Sequence, residues 1–506
     1  MTTIAEPRTY GNWIKPGSPG LGRLGLVGTV LLFAGIALAV IVKSAFGLLG
    51  AALVLVLELP ALAPLLWQDR TGRNGWQVLI REVAWRTGVA KGQHVYLAGL
   101  VDAQLFGSTK LPGLLAASRL HEFTTAAGQQ VAMVEHPKVR HFAVQVRVQP
   151  DGSSLVDPAT ADQWVAHWGV FQADLATEPA LVGATATVQT SPDPGNRLAR
   201  EVDRLLVPAA PQLARDMLLE AAATYPKGAA MVDAWVTLIF TANRRDTAGD
   251  ELVAGGPRSR VRTPAEMATL IAARLPGLIA QLAATGAGVG TPMSAREVTD
   301  LVRVAYDPAS AEDLATVRDN GEEAPIGWEQ AGPAGAQEAR GAYRHDGAAS
   351  ISWTMDGPPR SAVQSRVLTS LLAPHPDVDR KRLTILYRPY EPGDAAAVVD
   401  AQVRTATGKE DGKATGTVHT ERAMATAREE AGGAGLTRFS MVLTSTVRDP
   451  ERLGQAGETS MQLGRASKLT LRRAYGCQAA AFATGLGVGV IASEYVNVPA
   501  TVRGAL

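Results

Sequence analysis

From Leu24 to Val42 the chain has no charged residue, and Leu31, Leu32, Phe33, Ile36, Leu38, Val40 and Ile41 make the run strongly apolar. About 20 apolar residues rising roughly 1.5 Å each cross a hydrocarbon core of about 30 Å. Lys43 interrupts, and a second apolar stretch runs from about Ala45 to Trp67. The pattern predicts a transmembrane helical hairpin over residues 24–67, preceded by a tail of residues 1–23. A cleavable signal peptide fits poorly, because a second apolar run follows at once and no small-residue cleavage site separates the two.

Basic residues set the expected orientation. Arg8, Lys15 and Arg23 precede the first span, and Arg70, Arg73, Arg81 and Arg86 follow the second, whereas only Lys43 sits at the connecting turn. The positive-inside rule places both ends in the cytoplasm, at a plasma membrane crossed twice, with Trp13, Trp67 and Trp76 near headgroup level. Glu58 falls inside the second span, near Pro60 and Pro64. One reading is an intramembrane carboxyl that pairs with a neighbour or lines a path. The other ends the helix near Leu57 and leaves Glu58 interfacial, with the prolines kinking the chain there.

Beyond Trp67 the pattern changes to that of a globular chain. Phe142, Val144, Val146 and Val148 alternate with polar residues as in a half-buried strand. Trp164, Trp168, Phe171 and Leu175 then recur at helical spacing. Val182, Ala184, Ala186 and Val188 alternate again until Ser191-Pro192-Asp193-Pro194-Gly195 breaks the strand, and Ala234–Phe240 reads as another. The order suggests a cytoplasmic α+β domain over 68–306, of ferredoxin-like type. A polar, Gly-rich stretch over 307–347 reads as linker-like. Over 348–506, Ile351, Trp353 and Met355, then Leu383, Ile385 and Tyr387, then Phe439, Met441, Leu443 and Val447, repeat the strand pattern. Long helical stretches around Ala395–Glu430 and Pro450–Ala474 lie among them. This predicts a second α+β unit, ferredoxin-like or related, with the two halves similarly built.

A net charge of +1 gives no global pull toward nucleic acid or a strongly anionic surface. One cysteine, Cys477, builds no disulfide framework and agrees with a reducing compartment. Gly408-Lys409 and Gly412-Lys413 lack the spacing of a phosphate loop, and Gly286–Gly290 reads as a turn after a helix. The histidines are scattered: His121-Glu122 has no second His at zinc-protease spacing, and His136 and His141 are poorly spaced across a proline. No Gly-x-Ser-x-Gly elbow is present. No catalytic, cofactor-binding or metal-binding residue is therefore expected, and no cofactor. Arg465, Lys468, Arg472 and Arg473 form a basic cluster that reads first as a solvated helix end and second as a contact for DNA phosphates.

Arg8-Thr9-Tyr10-Gly11-Asn12-Trp13, the Ser18-Pro19-Gly20-Leu21-Gly22 turn and the hairpin directly after it resemble a family of actinobacterial membrane proteins. These are encoded in integrative conjugative elements beside type IV secretion genes. The likeness continues into Trp164–Gly169 and Thr190–Gly195. The hairpin is similar to the two-helix inner-membrane subunit of such systems. Tyr475-Gly476-Cys477-Gln478, Phe482 and Gly485-Leu486-Gly487 resemble the segment that closes the non-motor N-terminal domain of their transport ATPases, with Gly485 where a proline commonly stands. The resemblance implies a non-catalytic docking component that recruits a separate secretion ATPase. Its implied partners are the lipid bilayer, other membrane subunits of the secretion channel and further copies of itself, with direct DNA contact left open. Two other readings stand beside it: a membrane subunit of a type VII (ESX-like) system, and an enzyme on a membrane anchor.

Overall fold

Gly47 adopts φ 72°, a left-handed value that glycine takes at little cost, and so divides the apolar N-terminal helix into two limbs. The computed structural model describes residues 8–11, 13, 25–67, 69, 73–98, 110–150, 152, 156–192, 196–207, 209–224, 230–243, 261–321, 326–359, 361–408 and 414–496. Lys15, Arg23, Arg70, the 18–22 turn, residues 193–195 and residues 409–413 lie outside these.

Helix α1 runs Gly25–Leu66 with the Gly47 break inside it. The less exposed residues on the first limb are Gly28, Thr29, Leu32, Gly35, Ala39 and Val42. On the second they are Gly50, Ala51, Val54, Glu58, Leu62, Pro64 and Leu65. Steps of three and four mark one facing stripe on each limb, and small residues let the backbones approach. A Cβ on Gly35 would overlap the Glu58 carboxylate, which fixes the antiparallel register. The helix continues past Leu57 to Leu66, through Pro60 and Pro64, so Glu58 lies within the second limb and not at its end. Helix α2 (Gly75–Ala90) follows, opened by a capping box of Asn74 and Gln77. These elements form one compact unit, residues 14–95 with 492–506, and residues 96–491 with 1–13 form another.

The larger unit is built on a thirteen-stranded sheet of the described residues, with β1 (Val95–Leu97) at one edge and the hairpin β2 (Arg119–Thr124) and β3 (Gln130–His136) at the other. Its first repeat runs β4 (His141–Val148), α3 (Pro158–Thr177), β5 (Leu181–Pro192), α4 (Asn196–Leu205), α5 (Gln212–Thr224), β6 (Ala230–Thr241), α6 (Pro264–Leu282) and β7 (Thr291–Pro292). Helices α7 (Ala295–Tyr306) and α8 (Ser310–Asp319) lead to a second edge hairpin, β8 (Gly335–Ala339) and β9 (Ala342–His345). The second repeat runs β10 (Ala348–Gly357), α9 (Thr369–Leu372), β11 (Arg380–Pro389), α10 (Pro392–Thr407), α11 (Ala414–Ala431), β12 (Thr437–Val447), α12 (Leu453–Ala466) and β13 (Thr470–Arg473). Helix α13 (Gln478–Gly485) closes the series.

Strand order is β1-β8-β9-β10-β12-β11-β5-β6-β4-β3-β2, with β13 beside β10 and β7 beside β4. Each repeat therefore places its fourth, first, third and second strands in that order, and the repeats meet through antiparallel β5 and β11, from Lys381 opposite Thr190 to Tyr387 opposite Ala184. The segment expected to be a linker, 307–347, instead contains α8, β8 and β9 and adds an edge hairpin to the sheet outside β10. Its Gly321, Gly341 and Gly347 serve turns, while Ala336, Tyr343 and His345 are buried.

One face of the sheet is apolar. Phe142, Val144, Val146, Val236, Leu238 and Phe240 pack against α3 and α6 through Phe171, Leu175, Met267, Ile271 and Leu275. In the second repeat Ile351, Trp353, Leu383, Met441 and Leu443 pack with Leu371, Leu469 and Leu471. Two helical stretches among the described residues are long and apolar enough to cross a membrane, Gly28–Pro60 and Pro264–Ala287. The second is α6 with its terminal turn. Its Met267, Ile271, Leu275, Leu278 and Leu282 sit in the core of the sheet unit, so its apolarity is already used there. The stretch Pro450–Ala474, expected to be one helix, stops at Ala466, and Lys468 in the left-handed region (φ 55°) turns the chain back into β13.

Candidate functional site

The opposite face of the sheet is lined by hydroxyls and amides, yet it too is buried. Gln145, Thr185, Thr187, Gln189, Thr237, Thr384, Ser350, Ser352, Thr444 and Thr446 all point this way and are shielded from solvent. Helix α13 and the chain after it, Leu486–Ile491, lie across this face as a strap. Gly485 O accepts from Thr384 Oγ1 at 2.7 Å. Gly487 O accepts from Thr237 Oγ1 at 2.5 Å and Trp235 Nε1 at 3.2 Å. His136 Nε2 donates to Val488 O at 2.9 Å. The strap thus engages strands of both repeats.

Two buried imidazoles hold this packing together. His345 donates through Nδ1 to Tyr306 O, leaving Nε2 to accept from Ser350, which is itself 2.8 Å from Thr446 Oγ1. With the ring neutral, Nε2 is the acceptor for the Ser350 hydroxyl. Burial lowers both His345 and His136 to about 4. Arg382, also buried, lies 5.2 Å from the Phe482 ring centroid and, among the described residues, its side chain reaches only Gln189 Oε1, at 3.5 Å. Burial, with Arg380 further along the same face, lowers its guanidinium to about 9. Among the described residues Gln145 finds no hydrogen-bond partner for either side-chain atom, and neither does Thr185 Oγ1. A polar interior is costly unless satisfied, so the close seating of the strap matters for the fold.

Two helical arms project from the sheet between the second and third strands of each repeat. Because β5 and β11 are antiparallel, α4–α5 and α10–α11 leave from opposite ends of the central strand pair. The first arm exposes Leu205, Val207, Leu213 and Met217, the last two 72% and 62% accessible. The second packs its own small seam, with Ala395, Val399 and Ala423 buried.

The sequence-selected basic cluster divides between α12, the turn at Lys468 and β13. Arg465 ends α12, while Arg472 and Arg473 lie on β13. Arg472 pairs with Asp356 at 3.1 Å, and Arg473 donates to Gly341 O and stacks on Tyr475. His121 pairs with Glu135 at 2.7 Å. Among the described residues no group of three or more His, Cys, Asp or Glu converges as a metal site. Gly286 and Gly288 form the turn after α6 with positive φ, Gly286 against the Trp164 ring. Half-buried Cys477 packs beside Val442, Ala474 and Ala481. Sequence reasoning missed the strap contacts and Arg382. A buried-strand reading of β11 that paused at three consecutive cations, Arg380-Lys381-Arg382, offered the only signal.

In the hairpin unit the carboxyl of Glu58 sits in the notch left by Gly35, and its Oε1 is buried with no hydrogen-bond partner among the described residues. A family model described as a domain of unknown function (DUF8461) matches residues 17–77, the span that contains the hairpin. Comparison with curated proteins gives no match.

Proposed function

We propose that this chain is a non-catalytic, membrane-anchored docking component of a conjugative type IV secretion machine, recruiting a separate transport ATPase. The observation that carries the reading is the joining of a limb-length apolar hairpin to a sheet unit that presents helical arms at two opposite ends. The limbs before and after Gly47 are about 33 Å and about 28 Å long, matching a hydrocarbon core of roughly 30 Å. Both ends of the chain then lie in the cytoplasm, as the flanking Arg8, Arg73, Arg81 and Arg86 favour. The strand order of each repeat, with its helix after the third strand, favours two ferredoxin-like units as the docking body. Resemblance to the type IV secretion family supplies the partner class. The dispersal of Arg465, Arg472 and Arg473 speaks against direct DNA contact as the main role.

The test is to express the tagged chain with its chromosomal neighbours, solubilise the membranes gently and identify what co-purifies. A type IV-type ATPase and channel subunits in comparable amounts support the reading. Components of a type VII (ESX-like) system replace it with that alternative. A chain that purifies alone overturns assembly and directs attention to a membrane-anchored enzyme.

A further inference from the structure

Taking the proposed membrane placement as premise, we infer that α2 is an interfacial helix that lies on anionic lipid at the cytoplasmic leaflet, its open apolar strip set into the headgroup boundary. The strip is Trp76, Leu79, Ile80 and Val83, spaced i, i+3, i+4 and i+7 along one side of the helix. Leu79, Ile80 and Val83 are 49%, 61% and 51% accessible, and no residue of α2 is buried. The opposite side carries Val78 and Trp85, which are half-buried. The side left open is therefore itself apolar, and contiguous apolar side chains exposed in this way mark a surface with a partner.

Continuity with the bilayer names that partner. Only eight residues separate Leu66, the end of the second limb, from Gly75, the start of α2. Gly75 N donates to Trp67 O at 3.2 Å and Asp69 N to Arg73 O at 2.9 Å, which closes the turn. A Cβ on Gly75 would come within 2.8 Å of Pro64 O, so the first turn of α2 is seated against the last turn of the limb. The helix thus begins where a limb of about 28 Å leaves a hydrocarbon core of roughly 30 Å, at headgroup depth. Interfacial helices bury an apolar side there and turn cations toward the phosphates. Charge agrees: from Asp69 to Lys91 the sequence carries five basic residues against two acidic ones. Arg81 and Arg86 fall on the two flanks of the strip, where their stems cover apolar surface and their guanidinium groups reach anionic headgroups. Arg86 is paired with Glu82 at 3.0 Å but stays 77% accessible.

The experiment uses the full chain, carrying Cys477→Ser, reconstituted in mixed phosphatidylcholine–phosphatidylglycerol vesicles. Nitroxide labels are placed singly at Ile80→Cys and Val83→Cys in the strip, at Val89→Cys on the far side of α2, and at Leu38→Cys on the first limb. All four side chains are exposed, so the substitutions leave the packing in place. Accessibility to oxygen, which concentrates in lipid, is compared with accessibility to a water-soluble nickel complex. The labels at 80 and 83 should favour oxygen at shallow depth, the label at 89 should not, and the label at 38 should report the bilayer interior. In vesicles of phosphatidylcholine alone the strip labels should shift toward nickel, by about fivefold in the seated-to-exposed ratio for each cation left without an anionic headgroup. Strip labels that favour nickel in the mixed vesicles overturn the inference. Labels shielded from both reagents overturn it too, because a protein groove then covers the strip, as does indifference to the anionic lipid. With the label at 38 in lipid, these results overturn this inference alone. A label at 38 outside lipid removes the membrane placement, and the proposed function with it.

Discussion

Replacing Gly487 by alanine tests whether the strap is seated as described. Gly487 holds φ +65°, and an added Cβ would overlap Thr187 Oγ1 and lie 2.7 Å from Trp235 Nε1. The left-handed conformation costs an alanine about 1–2 kcal/mol. Forcing a methyl into this packed contact adds about 1–3 kcal/mol, because both neighbours are buried and Trp235 already donates to Gly487 O. Gly487→Ala should therefore destabilise the sheet unit by about 2–5 kcal/mol. Chemical unfolding of the detergent-solubilised chain, followed by tryptophan fluorescence, reads the change. Gly169→Ala, on the exposed face of α3 where a Cβ meets nothing within 4 Å, is the control of opposite sign. It should stabilise by about 0.5–1 kcal/mol. A Gly487→Ala variant within about 0.5 kcal/mol of the parent would refute the reasoning, since surface substitutions alone stay in that range.

Stability should also decline as the medium is acidified. His136 and His345 titrate near 4 when folded against 6.5 for the free side chain, so below pH 6.5 the unfolded chain takes up protons first. Their contribution is complete above about pH 6.5 and is lost between there and about pH 4, at most about 3 kcal/mol for each ring. His136→Gln should flatten the curve in unfolding experiments across that window. On the first arm, a Leu213→Glu, Met217→Glu double variant should change stability by less than about 0.5 kcal/mol, because both side chains are exposed. It should reduce the ATPase recovered by co-purification, and unchanged recovery would remove this arm from the docking surface. The topology gives a labelling prediction. Ser44→Cys, beside the hairpin turn, should react with an impermeant maleimide in intact cells while native Cys477 stays unlabelled. Reversed labelling would invert the orientation.

Local pattern was enough to find the first three strands of each repeat and the hairpin. Phe142, Val144, Val146 and Val148 alternate because one side faces α3 and α6, and the same holds for Leu383 and Ile385 against the second core. Trp168, Phe171 and Leu175 do line the buried face of α3, with Trp168 set 5.4 Å from the Tyr387 ring across the seam between repeats. What failed was whatever depended on distant partners. The 307–347 segment looked like a linker because its strands are short and Gly-rich, and only their pairing outside β10 makes them structural. The end of α12 was misplaced because Lys468, a residue with no intrinsic claim to the left-handed region, makes the turn. Glu58 had two readings from the sequence. The choice between them rested on the helix running on through Pro60 and Pro64 to Leu66, which the prolines argue against locally, with Gly35 on the facing limb making room for the carboxyl.

The central pairing explains why the two repeats behave as one body. In each, the second strand is an edge of its own four-strand set, and an uncovered edge invites uncontrolled pairing. Joining β5 to β11 removes both edges at once, and the strap from Gln478 to Ile491 then covers the polar face on both sides of the seam. The arms are consequently fixed at opposite ends of one sheet, and they differ in degree: α4–α5 exposes Leu213 and Met217 strongly, whereas α10–α11 buries Ala395, Val399 and Ala423 and exposes Val418 and Met424 less fully. A pseudo-symmetric body with two unlike ends suits head-to-tail contacts, which close into rings or extend as lines. In the proposed homo-oligomer each chain would then use one arm toward a neighbour and keep the other for a different contact. A twofold dimer would instead bury the same arm twice.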